Sequence, residues 1–202
     1  MNPILTIAIP TITSRRNQFT LLYEHIRNQI KEYKLTKKVE LIFECDNKEI
    51  SIGAKRDLLI KKAKGKYIVM IDDDDWLPYN YCNDVLSACE DDSDCIGYLE
   101  DCVFDWNHRA TSCISLRYKS WMNNVGVYDY VRTPFFKVPI KTEICRQVGC
   151  ADLRFGEDSD FAKRIYPLLK SETFIDKKLY IYRYKFENHN SKYGFIKSNS
   201  NI

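Results

Sequence analysis

The sequence predicts an α/β fold in which a mostly parallel sheet carries helices on its faces, followed by a loop-rich C-terminal half. Two observations carry that expectation. Apolar runs of strand length alternate with amphipathic stretches through the first hundred residues, the order that a parallel sheet with crossover helices requires. The runs are also continuous rather than alternating, as strands covered on both faces are.

Ile4–Ile9 is a short apolar run closed by Pro10 and reads as the first strand. Phe19, Leu22, Ile26 and Ile30 then recur at spacings of three and four, which describes one face of a helix. Val39–Glu44 is the second strand. A helix opening at Gly53 carries Ala54, Leu58, Leu59 and Ala63 and is stopped by Gly65. Tyr67–Ile71 supplies the third strand and Cys95–Leu99 a fourth. Phe104–Pro139 has no clear period and reads as loops and short strands laid over the sheet. A helix from about Ser159 and a strand Leu179–Tyr184 close the domain. One domain over residues 1–186 is expected, divided near residue 100, with a polar and mobile tail over 187–202.

Composition narrows the function. A chain of 202 residues suits one domain, and 45% apolar with 29% charged residues is an ordinary globular balance. The net charge of +3 is dispersed, whereas nucleic-acid binding favours a concentrated basic stripe. The N-terminus lacks the basic start and small-residue cleavage site of a signal peptide, and no apolar run approaches the ~20 residues that span a bilayer. A cytoplasmic protein is expected. The eight cysteines include no CxxC pair and fit no zinc-site spacing. They read as reduced thiols packed as small hydrophobes.

Directly after the third strand stand Asp72, Asp73, Asp74 and Asp75. In such sheets ligands bind beyond the carboxyl ends of the strands. Like charges so close raise one another's pKa, and burial adds to that; a divalent cation removes the conflict. In an extended segment residues two apart point the same way, so Asp72 and Asp74 can converge on one site. Magnesium or manganese held by one or two carboxylates, with phosphates and water completing the shell, fits. The bland alternative is an acidic turn capping a helix near Tyr79. A calcium EF-hand is excluded, because its sixth and twelfth positions would be Leu77 and Asn83.

Four segments occur in a fixed order: Thr6-Ile-Ala-Ile-Pro-Thr11, Gly53-Ala-Lys-Arg-Asp-Leu58, Ala63 through Asp75, and Phe155-Gly-Glu-Asp-Ser-Asp160. Together they resemble glycosyltransferase family 2, with its Rossmann-like GT-A fold and DxD motif. The resemblance implies a nucleotide-sugar donor of the UDP type, a glycan or other hydroxyl-bearing acceptor, and a divalent cation, Mn2+ or Mg2+. It implies that Pro10, Thr11, Glu44 and Asp46 face the base and ribose, and that Lys55 and Arg56 approach the nucleotide or its phosphates at a helix start. Asp72 would lie near ribose and metal, Asp73 on the nucleotide-sugar side, and Asp74 would be the principal metal ligand. Taken without the resemblance, Lys55 and Arg56 equally describe a solvated helix face.

The resemblance also makes Asp158 the candidate base, taking a proton from the acceptor hydroxyl as that oxygen displaces the diphosphate with inversion. The residues alone leave Glu157, Asp158 and Asp160 open, since acids are favoured in any first helical turn. His189 matches a late histidine that some relatives use as a metal ligand; alone it reads as solvated. Trp106 and Trp121 could offer a platform to a sugar ring or simply pack. His25 and His108 have no partner legible in the sequence. A nucleotidyltransferase would want a glycine-rich loop after the first strand, and Pro10 through Arg16 contains no glycine. A response-regulator-like phosphoacceptor would want an acid pair at the end of that strand, and none is there. A non-catalytic nucleotide-sugar-binding domain would keep the same motifs.

Overall fold

The chain is described by a computed structural model covering residues 2–104 and 108–184. Its centre follows from the first apolar run. Leu5, Ile7 and Ile9 are fully buried in β1 (Leu5–Ile12), which pairs in parallel with both β2 (Val39–Asp46) and β3 (Tyr67–Met70). β1 continues past Pro10, where the sequence suggests a stop. β3 accompanies it only as far as Ala8, so at Pro10 the strand has β2 alone as a neighbour and tolerates a residue without an N–H.

Helix α1 (Arg16–Glu32) buries Leu22, Ile26 and Ile30, the face that the spacing predicts, together with Gln29. The Gln29 amide accepts from the Cys82 N–H and donates to the Pro78 carbonyl, each at 3.0 Å, so it clasps the start of α3 (Tyr81–Ala88). His25 is partnered too: it stacks on Trp76 with ring centroids 4.5 Å apart and lies 2.9 Å from the Leu77 carbonyl. α2 (Ile52–Lys62) is capped by Ser51, whose hydroxyl accepts from the Ala54 N–H. Its buried face differs from the apolar stripe in the sequence. Gly53, Lys55, Arg56, Leu59 and Ile60 turn inward while Leu58 is exposed.

Beyond α3 the sheet becomes mixed. β4 (Cys95–Phe104) pairs antiparallel with β5 (His108–Ile114), and β6 (Met122–Val125) pairs antiparallel with β7 (Tyr128–Arg132), because short connections can only return the chain on itself. Thus His108 begins a strand rather than lying in a loop. β8 (Ile140–Lys141) bridges β3 and β4. α4 (Thr142–Val148), only seven residues long, shows no period in the sequence. α5 (Glu157–Ile165) follows, and then β9 (Glu172–Tyr184), parallel to β4 along its whole length. The order is β2-β1-β3-β8-β4-β5-β7-β6, with β9 also on β4.

All eight cysteines are unpaired, and six of them are buried. No helix among the described residues is long and apolar enough to cross a membrane. The predicted tail from residue 187, His189 and Trp106 lie outside the described residues.

α2 is held to the loop before α5 at Gly53, whose N–H donates to the Leu153 carbonyl at 3.0 Å and where an added Cβ would meet the Ala151 oxygen at 1.9 Å. Gly53→Ala should therefore destabilise by about 1–3 kcal/mol through overpacking. Urea denaturation checks this, and an unchanged midpoint would mean that the contact is not tight.

Candidate active site

The loops after β1 and β3 meet beside the carboxyl ends of their strands, the position at which open α/β sheets take ligands. The aspartate run leaves β3 there. It is a turn rather than an extended segment, closed by the Asp75 N–H donating to the Asp72 carbonyl at 3.1 Å. Two of the four acids face inward. Asp73 accepts from Thr11 Oγ1 at 2.7 Å and from Arg15 Nη1 at 2.8 Å. Asp75 accepts from the Tyr180 hydroxyl at 2.7 Å and the Arg183 amide at 2.8 Å, with Lys137 Nζ 3.4 Å away. Burial pushes Asp75 up to about 7 against the pull of Lys137.

Asp72 and Asp74 are the outer pair, with side chains 29% and 43% exposed. Burial opposes the ionisation of Asp72, but the charge and hydrogen bond of Arg56 together with the charges of Lys137 and Arg15 prevail and hold it below the usual carboxylate range. Asp74 is held above it, by burial and by the charge of Asp72, although Arg15 Nη1 lies 2.9 Å from it. The anionic form of Asp74 is thus disfavoured beside its neighbouring carboxylates. Among the described residues no group of three His, Cys, Asp or Glu side chains could hold a metal. A magnesium or manganese ion completed by phosphates needs only one or two carboxylates, and Asp74 with Asp72 beside it meets that requirement.

Lys55 and Arg56 of α2 are not a solvated face. Lys55 Nζ reaches the Thr11 carbonyl and Asp46. Arg56 bridges Asp72 at 2.8 Å and Glu157 at 3.0 Å, its guanidinium 4.7 Å above the Phe136 ring. One buried cation thus joins the end of β3 to the start of α5.

A cavity of about 410 Å³ opens over these residues and is lined by Pro10, Thr11, Lys55, Arg56, Asp72, Asp73 and Asp74. Asp46 does not line it but fixes Lys55. Glu44, expected to face base and ribose, is instead bound by Lys62 and stands away from the cavity wall. The corresponding signal was ambiguous, since Glu44 and Asp46 share a strand face and only Asp46 reaches the strand end.

A second cavity, about 360 Å³, lies on the β4–β5–β7 side. Asp72 and Tyr182 border both cavities. The three acids at the start of α5 separate by partner. Glu157 is turned onto Arg56, and Asp160 is held by Arg164 at 2.6 and 2.8 Å. Asp158, whose Oδ1 accepts from the Ser159 amide at 2.7 Å, borders the second cavity. Trp121 borders it as well, its indole N–H donating to Thr133 at 3.0 Å.

Arg15, Glu100, Lys137 and Tyr182 also belong to these walls. No local pattern singles them out. Lys137 and Arg132 sit in the stretch without a period, and the alternation of Tyr180, Tyr182 and Tyr184 signals a strand face but not its neighbours.

The model of glycosyl transferase family 2 matches residues 23–148. The chain belongs to that family. Its GT-A fold also appears in solved structures. S. aureus TarS 1-349 matches with a TM-score of 0.63 at 16% identity, covering 89% of this chain and 60% of that one. The complex of TarS 1-349 with UDP-GlcNAc gives 0.63 at 15% identity, covering 95% and 61%, and the complex with UDP gives 0.63 at 15%, covering 93% and 62%. At such identities the likeness is one of fold, and the chain spans about three fifths of the length of these structures. No curated protein matches the chain in sequence.

Two outcomes follow from the geometry. Arg56→Leu leaves Asp72 and Glu157 without their shared counter-ion and should cost about 3–5 kcal/mol, measured by urea denaturation; a loss below 1 kcal/mol would mean that the bridge is idle. Asp46 is the second case. Burial opposes its ionisation, but the hydrogen bond from Lys55, that from the Ile50 amide and the Lys55 charge prevail, so its pKa lies below the ordinary 3.8. The stabilisation from a depressed native value is complete above the unfolded value and is lost as the pH falls from there through the native one. Asp46→Asn should make the acid limb of the stability–pH profile shallower, and an unchanged limb contradicts the assignment.

Proposed function

We propose that this chain is a metal-dependent, inverting glycosyltransferase that moves a sugar from a nucleoside diphosphate, UDP being favoured, to a hydroxyl of a glycan or similar acceptor. The observation that carries the reading is the shared wall: Asp72 and Tyr182 border both a cavity lined with Arg15, Lys55 and Arg56 and a second cavity bordered by Asp158. A nucleotide diphosphate in the first and its sugar in the second would bring the anomeric carbon to that wall. The UDP-type preference draws support from the TarS complexes with UDP and UDP-GlcNAc, proteins of the same fold.

The residues divide the work. Arg15, Lys55 and Arg56 supply positive charge toward a departing diphosphate, where charge develops in the transition state. Asp72 and Asp74 would hold the divalent cation, which adds further charge stabilisation when bound. Asp158 takes the proton of the acceptor hydroxyl as its oxygen attacks from the face opposite the diphosphate. Unlike Glu157 and Asp160, it has no basic side chain within ion-pair distance among the described residues, and it borders the second cavity. Unpaired thiols throughout suit a reducing, cytoplasmic setting.

Thermal-shift measurements with nucleoside diphosphates and manganese test this directly, because a ligand of the native state raises its melting temperature. UDP with manganese should stabilise the chain, chelator should cancel the gain, and Asp74→Ala should not show it. Asp158→Asn should keep UDP affinity while lowering turnover by roughly 10²–10⁴-fold. Full turnover in that variant would remove Asp158 from the mechanism.

A further inference from the structure

The second cavity holds one guanidinium that no carboxylate among the described residues touches. Its walls carry the cations Lys137 and Arg132 and the carboxylates Asp72, Glu100 and Asp158, and Asp72 is taken up by Arg56. Lys137 is paired with Glu100 at 2.8 Å and lies 3.4 Å from Asp75. Arg132 has no carboxylate within 4.0 Å among the described residues. Its Nη1 donates to the backbone carbonyls of Met122 and Val131, both at 2.9 Å, and its guanidinium lies 5.3 Å from the Trp121 ring and 5.1 Å from the Tyr130 ring. Carbonyls and aromatic faces hold the group in place but do not neutralise it. Burial keeps its pKa below the ordinary value, with Glu100 and, less strongly, Cys102, Tyr130 and Asp158 only partly offsetting this.

A second, independent feature stands beside it. Ser112 on β5 is 1% exposed and borders the same cavity, yet its Oγ has no hydrogen-bond partner among the described residues. Buried hydroxyls are nearly always satisfied. The parallel register sets Ser112 opposite Tyr130 and Ile114 opposite Arg132, so Ser112 and Arg132 are diagonal neighbours on one face of the sheet. A neutral sugar could satisfy the serine but would leave the guanidinium without an anion in direct contact. An oxyanion satisfies both, since arginine's planar fork matches carboxylate and phosphate oxygens.

Building on the glycosyltransferase reading above, we propose that the second cavity takes a saccharide bearing an oxyanion, a carboxylate or a phosphate, recognised by Arg132 together with the Ser112 hydroxyl. The oxyanion belongs either to the transferred sugar or to the acceptor. The chemistry is the same in both cases, and the two are separable by experiment.

Calorimetric titration of the manganese-supplemented chain provides the test. UDP alone first examines the nucleotide reading. UDP-glucuronate is then compared with UDP-glucose for the donor arm, and glucuronate and glucose 6-phosphate with glucose for the acceptor arm, with and without saturating UDP. In one arm the charged member should bind about tenfold tighter or better, as expected for a hydrogen-bonded charge. Arg132→Gln should abolish that preference, Arg132→Lys should keep part of it, and Ser112→Ala should reduce it. Should Arg132→Gln fail to fold, judged by its melting temperature, the Lys and Ala variants decide. UDP binding with no charge preference in either arm, or a preference that survives in the variants, overturns the proposal while leaving the nucleotide reading intact. Failure of UDP to bind removes the nucleotide reading, and the saccharides titrated without UDP then decide this one by the same criterion.

Discussion

A guanidinium taken out of water needs anions placed around it, and each anion so used loses its freedom to be anywhere else. Arg56 imposes that condition on this fold. Its two ends engage Asp72 at the close of β3 and Glu157 at the opening of α5, while Phe136 closes one face of its plane. Three segments far apart in sequence are thereby fixed to a single point. The Arg56 Nε is left buried without a hydrogen-bond partner among the described residues, a sign that the residue is held by its charged contacts rather than by complete polar satisfaction.

From that point the acids sort themselves. Asp73 and Asp75 are drawn inward, one toward the loop after β1 through Thr11 and Arg15, the other toward β9 through Tyr180 and the Arg183 amide. Asp72 and Asp74 remain toward the cavities. A run that looks redundant as a string of identical letters is therefore a junction in which alternate members brace and expose. Lys137 completes the arrangement from the other side, between Glu100 and Asp75, with the rings of Tyr180 and Tyr182 at 4.5 and 3.9 Å.

The first half of the fold is legible because its strands are buried on both faces and its helices are periodic; β1, α1, β2 and β3 emerge within a few residues of where the apolar pattern sets them. The second half resists because β5, β6 and β7 are short and partly exposed, and α4 is shorter than two turns of pattern. At the site, the acids were visible as acids, but their separation into Asp158 facing a cavity and Asp160 facing Arg164 depends on helix rotation, which adjacency cannot reveal. The burial of Lys55 and Arg56 was hidden for the opposite reason. Charged letters at helical spacing suggest solvent, and only the tertiary partners Asp46, Asp72 and Glu157 reverse that.

β9 contributes Tyr182 and Tyr184 to the wall of the second cavity, and its Tyr180 hydroxyl and Arg183 amide hold Asp75, encoded more than a hundred residues earlier. Chains leave the ribosome N-terminus first and domains settle as units. While synthesis is under way, the aspartate turn would have its β1 contacts available but not those from β9, and Asp75 would lack both the hydroxyl and the amide that receive it. The nascent polypeptide can thus pair β1, β2 and β3 well before the wall of its second cavity is whole, because Tyr182 and Tyr184 reach that wall only with β9.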